Sequence, residues 1–248
     1  MKIISITNQK GGCGKTTTAV NLSAYLAING KKTLLIDLDP QGSATKHLGL
    51  EELDRTIYDV LMKGISLESL ARPTMIQGLD IVPTDNLLGK AELELAYKMV
   101  GKESILKSRL SDLQGYDYVV IDTQPNLGFL TLNALVASDI AIVPIETQFF
   151  SVVGLSMILD LMQLIEKDMG HAIQKKYLLT IHDPRTKMGK EVVAQVRKSL
   201  KDDVFKVIIP NSIKLAEAPS YGQPISVHAP DSPGALAYAE LAKEVMSL

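Results

Sequence analysis

The stretch KIISITNQKGGCGKTTTAVNL (residues 2–22) decides the architecture. A short β-branched run, Lys2 to Thr7, reads as a buried strand. A glycine-rich loop follows, and then a helical pattern from about Thr16 to Ile28 that Gly30 closes. Glycines in such a loop let successive backbone N–H groups turn toward an anion without Cβ clashes. The helix N-terminus behind them adds a favourable dipole. A strand, a glycine loop and a helix in that order form the setting a phosphate-binding loop requires.

Outward from this unit, the same grammar repeats. Lys32 to Asp37, Leu79 to Pro83, Tyr116 to Asp122, Asp139 to Ile145, Tyr177 to Ile181 and Val204 to Pro210 read as further strands. Met157 to Ile165 and Glu191 to Leu200 carry apolar residues at helical spacing, and the chain closes on a helix with Pro233 near its start. Strands alternating with helices predict an α/β fold: a mostly parallel twisted sheet with helices on both faces, in one P-loop NTPase domain spanning residues 1–248.

Composition narrows the function. The 248 residues are 46% hydrophobic and 22% charged with a net charge of −2, which argues against a uniformly basic nucleic-acid binder. Cys13 is the only cysteine, so an intrachain disulfide and a cysteine-rich metal site are excluded. The first residues lack the apolar core of a signal peptide, and no apolar run reaches membrane-spanning length. These features predict a soluble, cytoplasmic protein.

Within the loop, Lys15 is expected to reach the β- and γ-phosphates of ATP and Thr16 to ligate Mg²⁺ directly, with Thr17 beside it. The usual spacing G-x-x-x-x-G-K-[ST] fails, because its first glycine falls on Gln9. The variant K-G-G-x-G-K-[ST] fits, as Lys10-Gly11-Gly12-Cys13-Gly14-Lys15-Thr16. Cys13 sits at the free position as a small residue and is assigned no chemistry. Two carboxylate segments end strands at the same edge of the sheet: IDLDPQGS, with Asp37 and Asp39, and IDTQPNLG, with Asp122. Ligands of parallel sheets bind at such strand ends. Asp39 precedes Pro40, so a simple turn carboxylate is the alternative there.

On these residues the chain resembles the deviant Walker A ATPases, and among them the ParA/Soj family of partition ATPases. TLNALVASD (131–139), HDPRTKMGKEVVAQVRKSL (182–200) and IPNSIKLAEAPSYGQPI (209–225) extend the resemblance over essentially the whole chain. It implies that Lys10 reaches across an ATP-dependent homodimer to the partner's phosphates. It also implies that Asp39 positions the attacking water, and that Asp39 and Asp122 hold Mg²⁺ through water. Lys10, Lys15 and Asp39 are then the catalytic set. Asp183, Pro210 and Asn211 become candidates for holding the base. Two departures stand out: Gln124 occupies a position usually held by proline, and Asn211 one where arginine is common.

Charge is unevenly spread. His171 to Lys214 holds ten lysines and arginines against four acids, net +6, inside an otherwise acidic chain. A solvated face is the plain reading of such a run. The resemblance implies instead non-specific binding of double-stranded DNA by the dimer, with Arg185, Lys187, Arg197, Lys198 and Lys214 as contacts and a nucleoid location. It further implies a ParB-like adaptor that stimulates slow hydrolysis, with chromosome, plasmid or other cargo moved as a result. A MinD-like membrane-associated positioning ATPase is the alternative. The ending ALAYAELAKEVMSL is short, has Lys243 as its one basic residue against Glu240 and Glu244, and is free of Phe and Trp, so no stable membrane association is expected. A redox relative would need interfacial cysteines, and no motif marks a second small-molecule substrate.

Overall fold

The computed structural model describes residues 1–51, 53–97, 101–148 and 152–248. In chain order it contains β1 (Lys2–Ile6), α1 (Lys15–Ile28), β2 (Thr33–Leu38), α2 (Ser43–His47), α3 (Ile57–Lys63) and α4 (Leu67–Leu70). Next come β3 (Arg72–Pro73), β4 (Leu79–Val82), α5 (Leu88–Tyr97), α6 (Ile105–Ser111), β5 (Tyr118–Thr123), α7 (Phe129–Ala137) and β6 (Ile140–Glu146). The rest comprises α8 (Val152–Met169), β7 (Gln174–His182), α9 (Lys187–Leu200), β8 (Val204–Pro210), α10 (Ile213–Glu217), α11 (Ile225–His228) and α12 (Pro233–Met246). One eight-stranded sheet runs β3-β4-β2-β5-β1-β6-β7-β8, parallel throughout except for the short edge strand β3.

Side chains one residue apart on a strand point to opposite faces, and the core obeys that rule. Ile4, Ile6, Leu35, Val120, Ile142 and Leu178 pack on one face against α1 and α12. Leu34, Ile36, Val119 and Ile121 pack on the other beneath α3, α5, α6 and α7. Ala141, Val143, Tyr177 and Leu179 continue that second face under α8 and α9. Both faces are covered, which is why the central strands are apolar runs rather than alternating patterns. The sheet with helices on both sides is the architecture the sequence predicts.

The predicted helix of residues 16–28 exists and ends as expected: the N–H of Gly30 (φ 78) bonds to the Ala27 carbonyl and that of Lys31 to Leu26. The helix predicted for 157–165 lies inside the longer α8. Sequence reading passed over α3, α5 and α6. In α5 the run AELELA alternates apolar and charged residues like a strand, and only packing on α3 and α7 resolves it as helix.

Candidate active site

Residues 7–14 must leave the sheet at the end of β1 and turn into α1. Gly14, the residue before the helix, has φ 88 and Gly12 has φ 73, both in the left-handed region that an L side chain resists. Gly14 has no side chain to cap the helix, and among the described residues no other side chain accepts from its first N–H groups. A Cβ added at Gly11 or Gly12 would meet nothing within 4 Å. Packing therefore does not demand glycine at Gly11, and the open space there leaves room for a close-lying anion.

These residues form one end of a cleft of about 370 Å³. Gly11, Gly12, Gly14, Lys15, Thr16 and Thr17 line the loop side, with Asp39 and Pro125 beside them. Lys15 is buried although Gly11 and Gly12 are exposed, and its ammonium donates to the Lys10 carbonyl at 2.8 Å. Cys13 is fully buried: its thiol donates to the same carbonyl at 3.2 Å, and its own carbonyl accepts from the Thr180 hydroxyl at 2.9 Å. Burial pushes the thiol pKa up, against the pull of Lys15, so it is held as an inert thiol. The Lys10 ammonium forms an ion pair with Glu146, the last residue of β6.

Asp37 and Asp122 are register partners on adjacent strands, so their carboxyls emerge on the same face beside the first turn of α1. Both are fully buried. Asp37 accepts from the Thr45 amide at 2.8 Å and the Thr45 hydroxyl at 2.7 Å, which anchors α2. Even so, burial pushes its pKa up to about 6. Neither oxygen of Asp122 has a hydrogen-bond partner among the described residues. Burial and then the nearby Asp37 push its carboxyl well above the usual range, with Thr16 and Lys15 pulling the other way. A buried, unpartnered carboxylate next to a threonine hydroxyl and a glycine cradle fits a hydrated divalent cation beside bound phosphates. Asp39, nearly buried, accepts from the Gln41 amide at 3.0 Å, as a turn carboxylate does, and also lines the cleft.

The far end of the cleft is made by β7 and β8. Their pairing slips between Leu179 and His182, where Ile181 takes φ 53. That irregularity lets the Asn211 amide bond to the His182 carbonyl at 2.9 Å and swings Pro210 and Asn211 into the cleft wall, with Leu215 behind. Asp183 does not line the cleft. Instead it takes a two-pronged contact from the Arg185 guanidinium, at 2.9 and 2.7 Å, which holds its carboxyl down at about 2.

None of the five basic residues lines the cleft, although Lys214 stands on α10 between the lining residues Ser212 and Leu215. Lys187, facing Glu191 at 3.8 Å, opens α9. Arg197 and Lys198 close it, roughly 15–17 Å further along the axis. Arg197 donates to the Lys206 carbonyl at 2.8 Å, Lys198 is exposed, and Lys214 pairs with Glu217 at 2.9 Å. Sequence reasoning missed Glu146, Thr180 and Ile181. The strand ending in Glu146 was recognisable, but its place next to β1 was not.

A family model described as an AAA domain matches residues 1–175. Sporulation initiation inhibitor protein Soj of Bacillus subtilis is 44% identical over 248 residues, covering 98% of each chain. Chromosome-partitioning ATPase Soj of Thermus thermophilus is 43% identical over 98% of this chain and 95% of its own. Among solved structures, one described as cobyrinic acid a,c-diamide synthase from Mycobacterium smegmatis with a bound ATP analog and magnesium superposes with a TM-score of 0.87. It is 30% identical and covers 99% of this chain and 94% of its own. The lysine-led phosphate loop, the paired strand-end acids and this full-length likeness place the chain in the ParA/Soj family of partition ATPases.

Proposed function

We propose that residues 1–248 act as one unit, a nucleotide-driven positioning switch that binds ATP with Mg²⁺ and hydrolyses it slowly. The observation that carries the reading is the glycine loop led by Lys10, with Lys15 inside it and the unpartnered Asp122 beneath. Amides at Gly11, Gly12, Gly14 and Lys15 would hold the phosphates, with Thr16 and Thr17 at the helix start. Thr16 would ligate Mg²⁺, and Asp39 and Asp122 would hold its waters. The bound cation would neutralise phosphate charge. Asp39, which lines the cleft, would accept a hydrogen bond from an attacking water and fix its direction. Pro210 and Asn211 would flank the base. Asp183, committed to Arg185, is the weakest of the base candidates.

Lys10 serves the partner protomer in this reading. Its ammonium must first exchange Glu146 for the partner's phosphates, so dimerisation and hydrolysis share one ion-pair exchange. The ATP-bound dimer would hold double-stranded DNA without sequence preference through Arg185, Lys187, Arg197, Lys198 and Lys214, giving a nucleoid location in the cytoplasm. A ParB-like adaptor would trigger hydrolysis and release. The burial of α12 favours this over a MinD-like membrane mode: Tyr238, Leu241, Ala242 and Val245 are spent on the core. No described helix is long and apolar enough to cross a membrane.

The test measures non-specific duplex binding and mass by light scattering with ADP, with ATP, and with ATP on Asp39→Ala and Lys10→Ala. The expected result is a DNA-holding dimer for Asp39→Ala with ATP, and a DNA-free monomer with ADP. Lys10→Ala should bind ATP yet fail to dimerise or hydrolyse. A Lys10→Ala protein that hydrolyses normally removes the role in trans, and an ATP dimer that ignores DNA at low salt removes the track.

A further inference from the structure

Residues 124–128 link β5, which carries Asp122 near its end, to α7, and bring Pro125 to the cleft. The loop is pinned at both ends by a carboxylate from a different element, Glu92 on α5. At the start, the Gln124 side-chain amide donates to Glu92 Oε2 at 2.8 Å. At the end, the Phe129 amide donates to Oε1 at 2.6 Å and the Leu130 amide to Oε2 at 3.3 Å. Those are the first two N–H groups of α7, whose own preceding residue, Gly128, offers no side-chain cap. A Cβ on Gly128 would collide with Glu92 Oε1, so glycine there is what admits the carboxylate. Within the loop, the Asn126 side chain accepts from the Gly128 amide at 2.9 Å and its carbonyl from the Thr131 hydroxyl at 2.7 Å.

We infer that Glu92 is a positioning residue for hydrolysis, acting through Gln124 and the start of α7 to fix the loop that follows Asp122 and carries Pro125. Gln124 is the partner that makes this possible, since a proline in its place has no side-chain amide to give. Glu92 itself does not line the cleft. A loop held at both ends loses little further freedom when the reacting groups are organised, and a released loop must be ordered at each turnover. The effect therefore falls on kcat rather than on nucleotide binding, which the glycine loop and Lys15 provide.

The inference rests on the ATPase reading, and the test separates the two. Gln124→Glu sets two carboxylates against each other at the 2.8 Å contact. Glu92→Gln combined with Gln124→Glu restores the bond with donor and acceptor exchanged, and still leaves an oxygen for the Phe129 amide, while the long Leu130 contact is given up. With steady-state ATPase kinetics, Gln124→Glu should lower kcat about tenfold with KM within about twofold, and the double variant should recover most of the loss. Hydrogen exchange, which needs no ATP, should show the Phe129 amide opening faster in Gln124→Glu and in Glu92→Ala, and protected again in the double variant. Wild-type protein without ATPase activity would sink the ATPase reading but leave the exchange test standing. Unchanged kcat and exchange in Gln124→Glu, or a double variant as impaired as the single, would overturn the positioning role.

Discussion

Two helices begin at the same edge of the sheet and treat their first N–H groups in opposite ways. α1 starts behind Gly14 with no side chain over its end, facing a cleft. α7 starts behind Gly128, and its end is filled by Glu92 from a helix 37 residues back in sequence. Both ends carry the same partial positive charge and the same orphan donors. At α1 no side chain among the described residues takes those N–H groups, and in the proposed reading the anion is the nucleotide's. At α7 the anion is built in, so the same physics fixes a loop.

The largest expected effect is at the open end. Lys15→Ala removes the buried ammonium that neighbours the α1 terminus, and ATP affinity should fall by about a hundredfold or more, roughly 3 kcal/mol. Equilibrium binding of a fluorescent ATP analogue reads this directly. Binding within a few-fold of wild type would mean that backbone amides alone hold the anion. The closed end predicts the converse: Gln124→Glu should leave the same binding curve in place.

A matched pair of glycine substitutions sharpens the contrast. Gly128→Ala evicts the Glu92 carboxylate from α7 and should cost about 1–2 kcal/mol, the worth of a helix cap. In a chain of this length that lowers Tm by roughly 4 °C. Gly11→Ala meets no atom within 4 Å and has no positive φ, so Tm should hold within about 1–2 °C while ATP binding weakens. Thermal unfolding with and without ATP separates them. Should Gly11→Ala melt early, or Gly128→Ala melt normally, the two helix ends do not differ as argued.

The two ends also differ in how far the sequence reveals them. The open end is local: glycines, lysine and threonine lie within eight residues, and the adjoining strand and helix have clear periods. Sheet class and the carboxylates Asp39 and Asp122 were legible for the same reason, because strand ends in a parallel sheet share an edge. Glu92 and Glu146 were not legible. Each acts across a long sequence gap, 136 residues between Lys10 and Glu146, and only strand order or helix packing brings them in. The base end falls between. Pro210 and Asn211 reach the cleft through a slip in strand pairing at Ile181 that no residue pattern announces. The pairing of Asp183 with Arg185 is the reverse case, since the two stand two residues apart and a local ion pair was readable.

Glu146→Gln probes a smaller effect, again at the open end. Removing the charge that Lys10 faces within its own chain should lower the ATP concentration needed for dimerisation, by several-fold at most, because part-exposed ion pairs are worth about 1 kcal/mol or less. Light scattering across an ATP titration measures it. A shift to higher ATP would mean that Glu146 belongs to the dimer and not to the monomer.

The smallest single effect lies on the surface that neither helix end touches. Lys187 and Lys198 sit at opposite ends of α9, so no phosphate group can be shared between them. If each side chain meets its own phosphate, Lys198→Ala should weaken binding to every duplex alike, by several-fold, and reduce the slope of log K against log salt by about 0.9. Arg197 is a stricter probe because its guanidinium also holds the Lys206 carbonyl. Arg197→Ala should lose stability as well as affinity, whereas Lys198→Ala should lose affinity alone. A salt slope unchanged in Lys198→Ala would put the DNA surface elsewhere and return the late basic run to its plain reading as a solvated face.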